Sequence, residues 1–241
     1  MSFASPTTTH LAAERRGPGL LRGAMLVLVK DLRIEASSRV VTNQVIPFAG
    51  IVLLMFAFAV DPARQSLQGM APGLFWIAVV LAAVLAVSRA TAVENENGAR
   101  DALRLSGLDP AAVFLGKVAA VAIQLVLLEV VLVIGVVVLY GFPIVAPGLL
   151  PASAAAPTVA TAAAGVLYAT LAGAIRSRET LLPLLALPVL APVVLGAARA
   201  WSAAGEHSMG EAWRWVQLLT IFAAVLVAFG VATYSGLLEE A

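Results

Sequence analysis

Long apolar runs separated by short polar connections dominate this chain. Six of the runs read as membrane spans, at residues 45–60, 72–88, 113–140, 157–175, 181–198 and 213–237. A hydrocarbon core of about 30 Å takes roughly 20 helical residues to cross. The pattern therefore predicts an all-α membrane protein of six transmembrane helices. A β-barrel would show shorter, alternating segments, and the sequence has none. The first run reaches full length only if residues 40–44 join it, and Pro47 marks a bend near its start.

Ahead of the first run, Leu28, Leu32 and Ala36 recur at four-residue spacing, with Lys30, Asp31, Arg33, Glu35 and Arg39 between them. This predicts an amphipathic helix lying in the membrane interface. The plain alternative is a solvated lead-in to the first span. Residues 1–22, rich in Ser, Thr, Pro, Gly and Ala, read as a disordered tail. Residues 23–241 read as one six-span domain. Arg15, Arg16 and Arg22 precede too short an apolar stretch, residues 25–29, to make a secretory signal.

Composition agrees with a membrane chain. It is 61% hydrophobic and 12% charged, with mean hydropathy +0.97, where soluble domains carry about 25% charge. A net charge of +1 gives no bulk attraction to nucleic acid. The absence of Cys excludes disulfides, thiolate nucleophiles and Cys-ligated metals. Charge placement gives an orientation. With the N-terminus inside, twelve of the fifteen Lys and Arg residues fall on the cytoplasmic side, leaving Arg64, Arg199 and Arg214 outside. The positive-inside rule then predicts that both termini are cytoplasmic. Of the outer loops, 141–148 is apolar and should graze the membrane, while 201–215 is the wettest. Trp201, Trp213 and Trp215 read as an interfacial aromatic belt.

Little in the chain suggests chemistry. Gly116-Lys117 invites a phosphate-loop reading, but Ala111 stands where that motif needs its first Gly and Val118 where it needs Ser or Thr. Lys117 instead reads as snorkelling from the cytoplasmic end of the third span. Glu129 is an intramembrane acid, twelve residues and roughly 18 Å beyond Lys117. A carboxyl at that depth marks a functional site by default. The alternative is a protonated or hydrogen-bonded group inside a bundle or dimer contact. His207, amid Trp residues, could touch a flat cofactor such as haem, but a lone loop His is more often solvated, and His10 lies in the tail. No triad, carboxylate pair or metal-ligand cluster emerges, so nothing argues for an enzyme.

Two features concern packing. Gly165, Ala169 and Gly173 line one face of the fourth span, where small residues allow close helix approach within or between subunits. Pro183, Pro188 and Pro192 interrupt the fifth span, which reads either as a kinked moving element or as a static bend. The turn at 176–179 is so short that spans four and five must be antiparallel neighbours.

The polar island at 94–109 stands out. Gly98 can start a turn, residues 101–105 read as a short helix presenting Leu103, and Asp109-Pro110 reads as the cap and first turn of the third span. The segment reads as a cytoplasmic coupling helix tied to spans two and three, with a solvated connector as the alternative.

The stretches 71–76, 94–98, 103–117, 156–158, 176–183 and 187–192 together resemble the CcmB family, the permease subunits of the ABC-type system for cytochrome c maturation. The similarity covers roughly residues 25–240. The island alone is shared with many ABC-2-type export permeases, and the two Pro-containing stretches sharpen the match. Arg104 and Gly107 depart from the pattern, which has an aliphatic residue and Pro there. The resemblance implies six spans of ABC-2-type architecture in the bacterial inner membrane and a homodimeric permease core. It implies a separate ATP-hydrolysing subunit, CcmA, and association with CcmC-like and CcmD-like membrane proteins. ATP hydrolysis on that partner would release the haem-loaded periplasmic chaperone, a CcmE-like protein. Haem would be cargo of the system, and no cofactor is expected to be bound directly. Glu94, Glu96, Gly98, Asp101, Leu103, Leu105 and Ser106 are the expected ATPase-coupling surface. Competing readings are an ABC-2 exporter of another hydrophobic substrate, a non-transporting scaffold and, resting on Glu129 alone, a membrane enzyme.

Overall fold

The computed structural model describes residues 19–60, 64–96, 107–142, 148–174, 178–206 and 208–240. Among these residues the chain forms seven α-helices and no strand. They are α1 (Leu20–Ser38), α2 (Ile46–Ala59), α3 (Arg64–Glu96), α4 (Pro110–Tyr140), α5 (Leu149–Ala174), α6 (Arg178–Gly205) and α7 (Met209–Glu240). A wider π turn, Val41–Val45, leads into α2. Six segments are long and apolar enough to cross a membrane: Val41–Ala59, Leu67–Ala92, Pro110–Tyr140, Leu150–Leu171, Ala186–Gly205 and Met209–Gly236. The protein is a multi-pass membrane protein, and an even number of crossings returns the chain to the side on which it began.

Each span matches an expected run, with boundaries moved by proline. Pro72 and Pro157 read as span starts, yet both lie inside helices, α3 and α5. Proline removes one ladder hydrogen bond, and in a membrane bundle neighbouring groups compensate for it. Pro47 instead sits in the first turn of α2, at the passage from the wider π turn into the α-helix. The extra length of span one comes from the π turn, which buries Val41 and Val45.

α3 and α5 form the inside of the bundle, each with 67% of its span window buried, against 22% for α2 and α7. α5 packs on α7, α6 and α4, while α3 packs on α6, α4 and α2. Alanine makes the inner contact close: Ala160, Ala162, Ala163 and Ala164 of α5 are fully buried. The packing of α5 on α6 confirms spans four and five as neighbours.

At 31 residues α4 is about 46 Å long, well beyond the hydrocarbon core. Its ends therefore project, and each end makes a distinct set of contacts. They are called here the basic end (Pro110, with Lys117) and the hairpin end (Tyr140).

Candidate functional site

Two helices enter the region of the polar island from opposite sides. α3 runs without a break to Glu96, carrying Glu94 and Glu96 in its last turn. Gly98, Asp101, Leu103, Leu105 and Ser106, with the short helix expected at 101–105, lie outside the described residues. On the far side the cap has its expected form. The Asp109 carboxylate accepts a 2.8 Å hydrogen bond from the Ala111 N–H, and Pro110 opens the first turn. Gly107 has φ +65°, a conformation closed to proline, whose ring fixes φ near about −65°.

The first turns of α4 are clasped by α1. A Cβ on Gly116 would lie 2.6 Å from the Ala24 carbonyl oxygen and 2.7 Å from Val27 Cβ. Only glycine permits this approach. Beside it, Lys117 Nζ lies 4.0 Å from Asp31 Oδ2, and Lys30 Nζ lies 2.7 Å from Asp31 Oδ1. Gly116-Lys117 is therefore a helix-packing element, and Lys117 is engaged with α1 rather than simply reaching outward. Deeper in, the Phe114 ring covers Gly230 of α7, leaving no room for a Cβ, and packs on Tyr234 with centroids 5.3 Å apart.

α1 has three faces. Gly23 and Val27 are buried against the bundle. Leu21 and Met25, 83% and 58% exposed, extend the Leu28–Leu32–Ala36 stripe toward the start of the helix and form its free apolar part. Arg22 and Arg33 project on the third. Of the expected apolar stripe, Ala36 is exposed while Leu28 and Leu32 are half-buried along its edge. A separate row of small residues does the packing. Where α1 ends, Arg39 adopts a left-handed conformation with φ 52°. Glu35 Oε1 accepts a 2.6 Å hydrogen bond from the Val41 N–H, tying the end of α1 to the start of span one. Burial raises the Glu35 carboxyl above its ordinary value, partly offset by this N–H.

Glu129 is buried in the middle of α4. Thr158 Oγ1 of α5 lies 2.6 Å from Glu129 Oε1 and 2.7 Å from the Ala154 carbonyl oxygen. The partner is intramolecular. Two residues of the small-residue stripe, Gly165 and Ala169, lie against α3. A Cβ on Gly165 would meet Val87 Cγ2 of α3 at 3.0 Å, and Ala169 clusters with Val87. Gly173 lies in the last turn of α5. Pro183, Pro188 and Pro192 are all contained in a continuous α6, with Pro188 and Pro192 on its exposed side.

The hairpin end corrects the aromatic-belt reading. Trp201 is 3% exposed, stacked on Phe75 at 4.4 Å and 23°, with Trp76 edge-on at 5.7 Å and Phe142 beyond at 6.4 Å. It belongs to the core, because Phe75 of α3 covers its face. Trp213 is exposed as expected, and Trp215 is half-buried. The 201–215 segment is largely helical rather than a wet loop, and His207 lies outside the described residues. A surface groove of about 570 Å³ is lined by Ser208, Gly210, Glu211, Arg214, Trp215 and Leu218. Gln68 Nε2 donates to the Gly141 carbonyl at 2.9 Å, and Tyr140 OH donates to the Leu53 carbonyl at 2.8 Å, closing this end. Among the described residues no cluster of His, Cys, Asp and Glu could hold a metal ion.

Sequence reasoning missed the α1–α4 clasp and the Glu35–Val41 tie. The first had a signal, since Gly23-Ala24 and Gly116 are small residues near helix ends. The second had none, because it depends on the left-handed turn at Arg39.

Similarity to known proteins follows the same span pattern. The family described as CcmB protein matches residues 22–236. A Heme exporter protein B of Pseudomonas aeruginosa is 30% identical over 214 residues, covering 86% of this chain and 93% of the relative. Its Rhodobacter capsulatus namesake is 30% identical over 169 residues, 70% of this chain and 78% of the relative. The Escherichia coli K12 namesake is 36% identical over 70 residues, 29% of this chain and 32% of the relative. From α1 almost to the end of α7 the match is continuous, and the chain belongs to the CcmB family.

Proposed function

We propose that this chain is the membrane permease subunit of an ABC-type complex serving cytochrome c biogenesis in the bacterial inner membrane, with both termini cytoplasmic. The reading is carried by one observation: the family match from residue 22 to 236, with relatives of nearly the same length named Heme exporter protein B. Haem is the cargo of the system. ATP is hydrolysed on a separate CcmA-like subunit, and this chain performs no chemistry of its own.

The coupling surface is the α3–α4 connection, with Glu94, Glu96, Gly98, Asp101, Leu103, Leu105 and Ser106 facing the ATPase. A push there acts on two rigid levers, since α3 is continuous to Glu96 and α4 is capped from Asp109. The clasp at Gly116 adds α1 to the moving unit. A homodimer of this chain works with CcmC-like and CcmD-like proteins to release a CcmE-like haem chaperone.

Deleting the gene should abolish all c-type cytochromes while other haem proteins persist. Restoring it with Leu103→Asp or with Asp101→Lys should leave the subunit in the membrane but uncouple ATP hydrolysis from chaperone release. Normal cytochrome c yield in both variants would overturn the coupling assignment. Normal cytochrome c in the deletion would point instead to export of another hydrophobic substrate.

A further inference from the structure

Glu129 carries a demand that its surroundings meet in only one way. The residue is 6% exposed in the middle of α4. The nearest charge on its own helix, Lys117, is twelve residues away, roughly 18 Å. α5 has no charged residue between Leu149 and Ala174, and α2 has none. The charges within the span windows of α3, α6 and α7, Arg89, Arg199, Glu211 and Arg214, stand in the first or last two turns of those windows. Among the described residues an ionised carboxylate here would have no ion-pair partner, a costly arrangement in a low-dielectric interior.

The hydrogen bonds give the same answer from atom counting. Thr158 Oγ1 has two oxygens in short contact, Glu129 Oε1 at 2.6 Å and the Ala154 carbonyl at 2.7 Å. A hydroxyl carries one hydrogen, while a carbonyl and an ionised carboxylate can only accept. Two bonds need two hydrogens, so the second sits on Glu129. The chain of donation then runs from the Glu129 O–H to Thr158 Oγ1, and from the Thr158 O–H to the Ala154 carbonyl.

That chain ends where α5 is weakest. Pro157 has no N–H, so the Ser153 carbonyl loses its helical donor in this same turn. We propose that Glu129 is a positioning residue, an uncharged hydrogen-bond donor that pins the proline-broken turn of α5 to α4 and so fixes spans three and four relative to each other. The proposal holds whatever substrate the permease serves.

The test compares four variants of the full-length protein purified in detergent. Glu129→Gln keeps a donor without charge and should match wild type in thermal stability. Glu129→Ala and Thr158→Val remove the chain and should lower the folded-to-unfolded ratio at the wild-type midpoint about tenfold, as expected for one buried hydrogen bond. Glu129→Asp, too short to reach Thr158, should resemble Glu129→Ala. Infrared spectra should show a protonated-carboxyl carbonyl band in wild type that is missing in Glu129→Gln, a signature a merely space-filling role would not give. Absence of that band in wild type, or a Gln variant as damaged as the Ala variant, would overturn the proposal. So would full stability of the Ala and Val variants. All readouts are on the isolated subunit, so they stand apart from any failure of the haem-system assignment.

Discussion

The two ends of α4 are held by different physics. Lys117 and Tyr140 are twenty-three residues apart, about 35 Å along the helix. At the hairpin end the contacts are aromatic and closed. Phe75 and Trp201 stack, Tyr140 bonds the Leu53 backbone, and Gln68 caps Gly141. At the basic end the contacts are a glycine-sized approach, an ion cluster and a carboxyl–backbone tie. Aromatic packing is strong and indifferent to charge, whereas ion pairs near a surface contribute little and respond to salt. The hairpin end is therefore the fixed anchor, and the basic end is where a modest force can move a helix.

The largest expected effect lies at the anchor. Trp201→Ala would open a cavity among Phe75, Trp76 and Phe142 and should cost about 3–5 kcal/mol. A thermal melt in detergent would read it, and a loss below about 1 kcal/mol would erase the contrast between the ends.

Gly116→Val should come next, at about 1–3 kcal/mol from overpacking, because the Ala24 backbone must move. All four Trp residues lie toward the hairpin end, so intrinsic fluorescence reports that end alone. The variant should keep wild-type emission while trypsin cuts α1 at Lys30 or Arg33 faster. A shifted emission would show that the ends are not independent.

Glu35 gives the smallest and most discriminating effect. Glu35→Ala strands the Val41 N–H and should cost about 1–2 kcal/mol. Glu35→Gln keeps an acceptor and removes the partly buried charge. Because the native carboxyl titrates above its unfolded value of about 4.5, its contribution is fullest below that value and falls as pH rises through the native one. The stability gap favouring the Gln variant should therefore widen from about pH 4 toward neutrality. A gap that narrows would reverse the sign of the burial effect.

Most of the fold was legible because span length and hydropathy are local properties. The capped start of α4 was legible for the same reason, since Asp109-Pro110 is a local signal. The errors share one cause, which is that they depend on distant residues. Pro72 and Pro157 looked like helix starts because their tolerance inside a helix is supplied by other helices. Trp201 looked like an interface anchor because its cover, Phe75, lies on another helix. Glu129 was visible as an anomaly, but its partner Thr158 was not, since Thr158 is unremarkable in an Ala-rich run. Of the expected coupling surface, only Glu94 and Glu96 fall in a described helix.

The three-faced α1 also constrains how the protein is made. Its packing row at Ala24 and Val27 meets Gly116, which leaves the ribosome some ninety residues later, on the order of ten seconds at bacterial synthesis rates. Throughout that interval α1 has no protein partner for its packing face. Its exposed apolar residues, Leu21, Met25 and Leu26, give it the bilayer surface as a waiting place. A nascent chain halted before α4 should hold α1 at the membrane, and release of the arrest should dock it without any further insertion step.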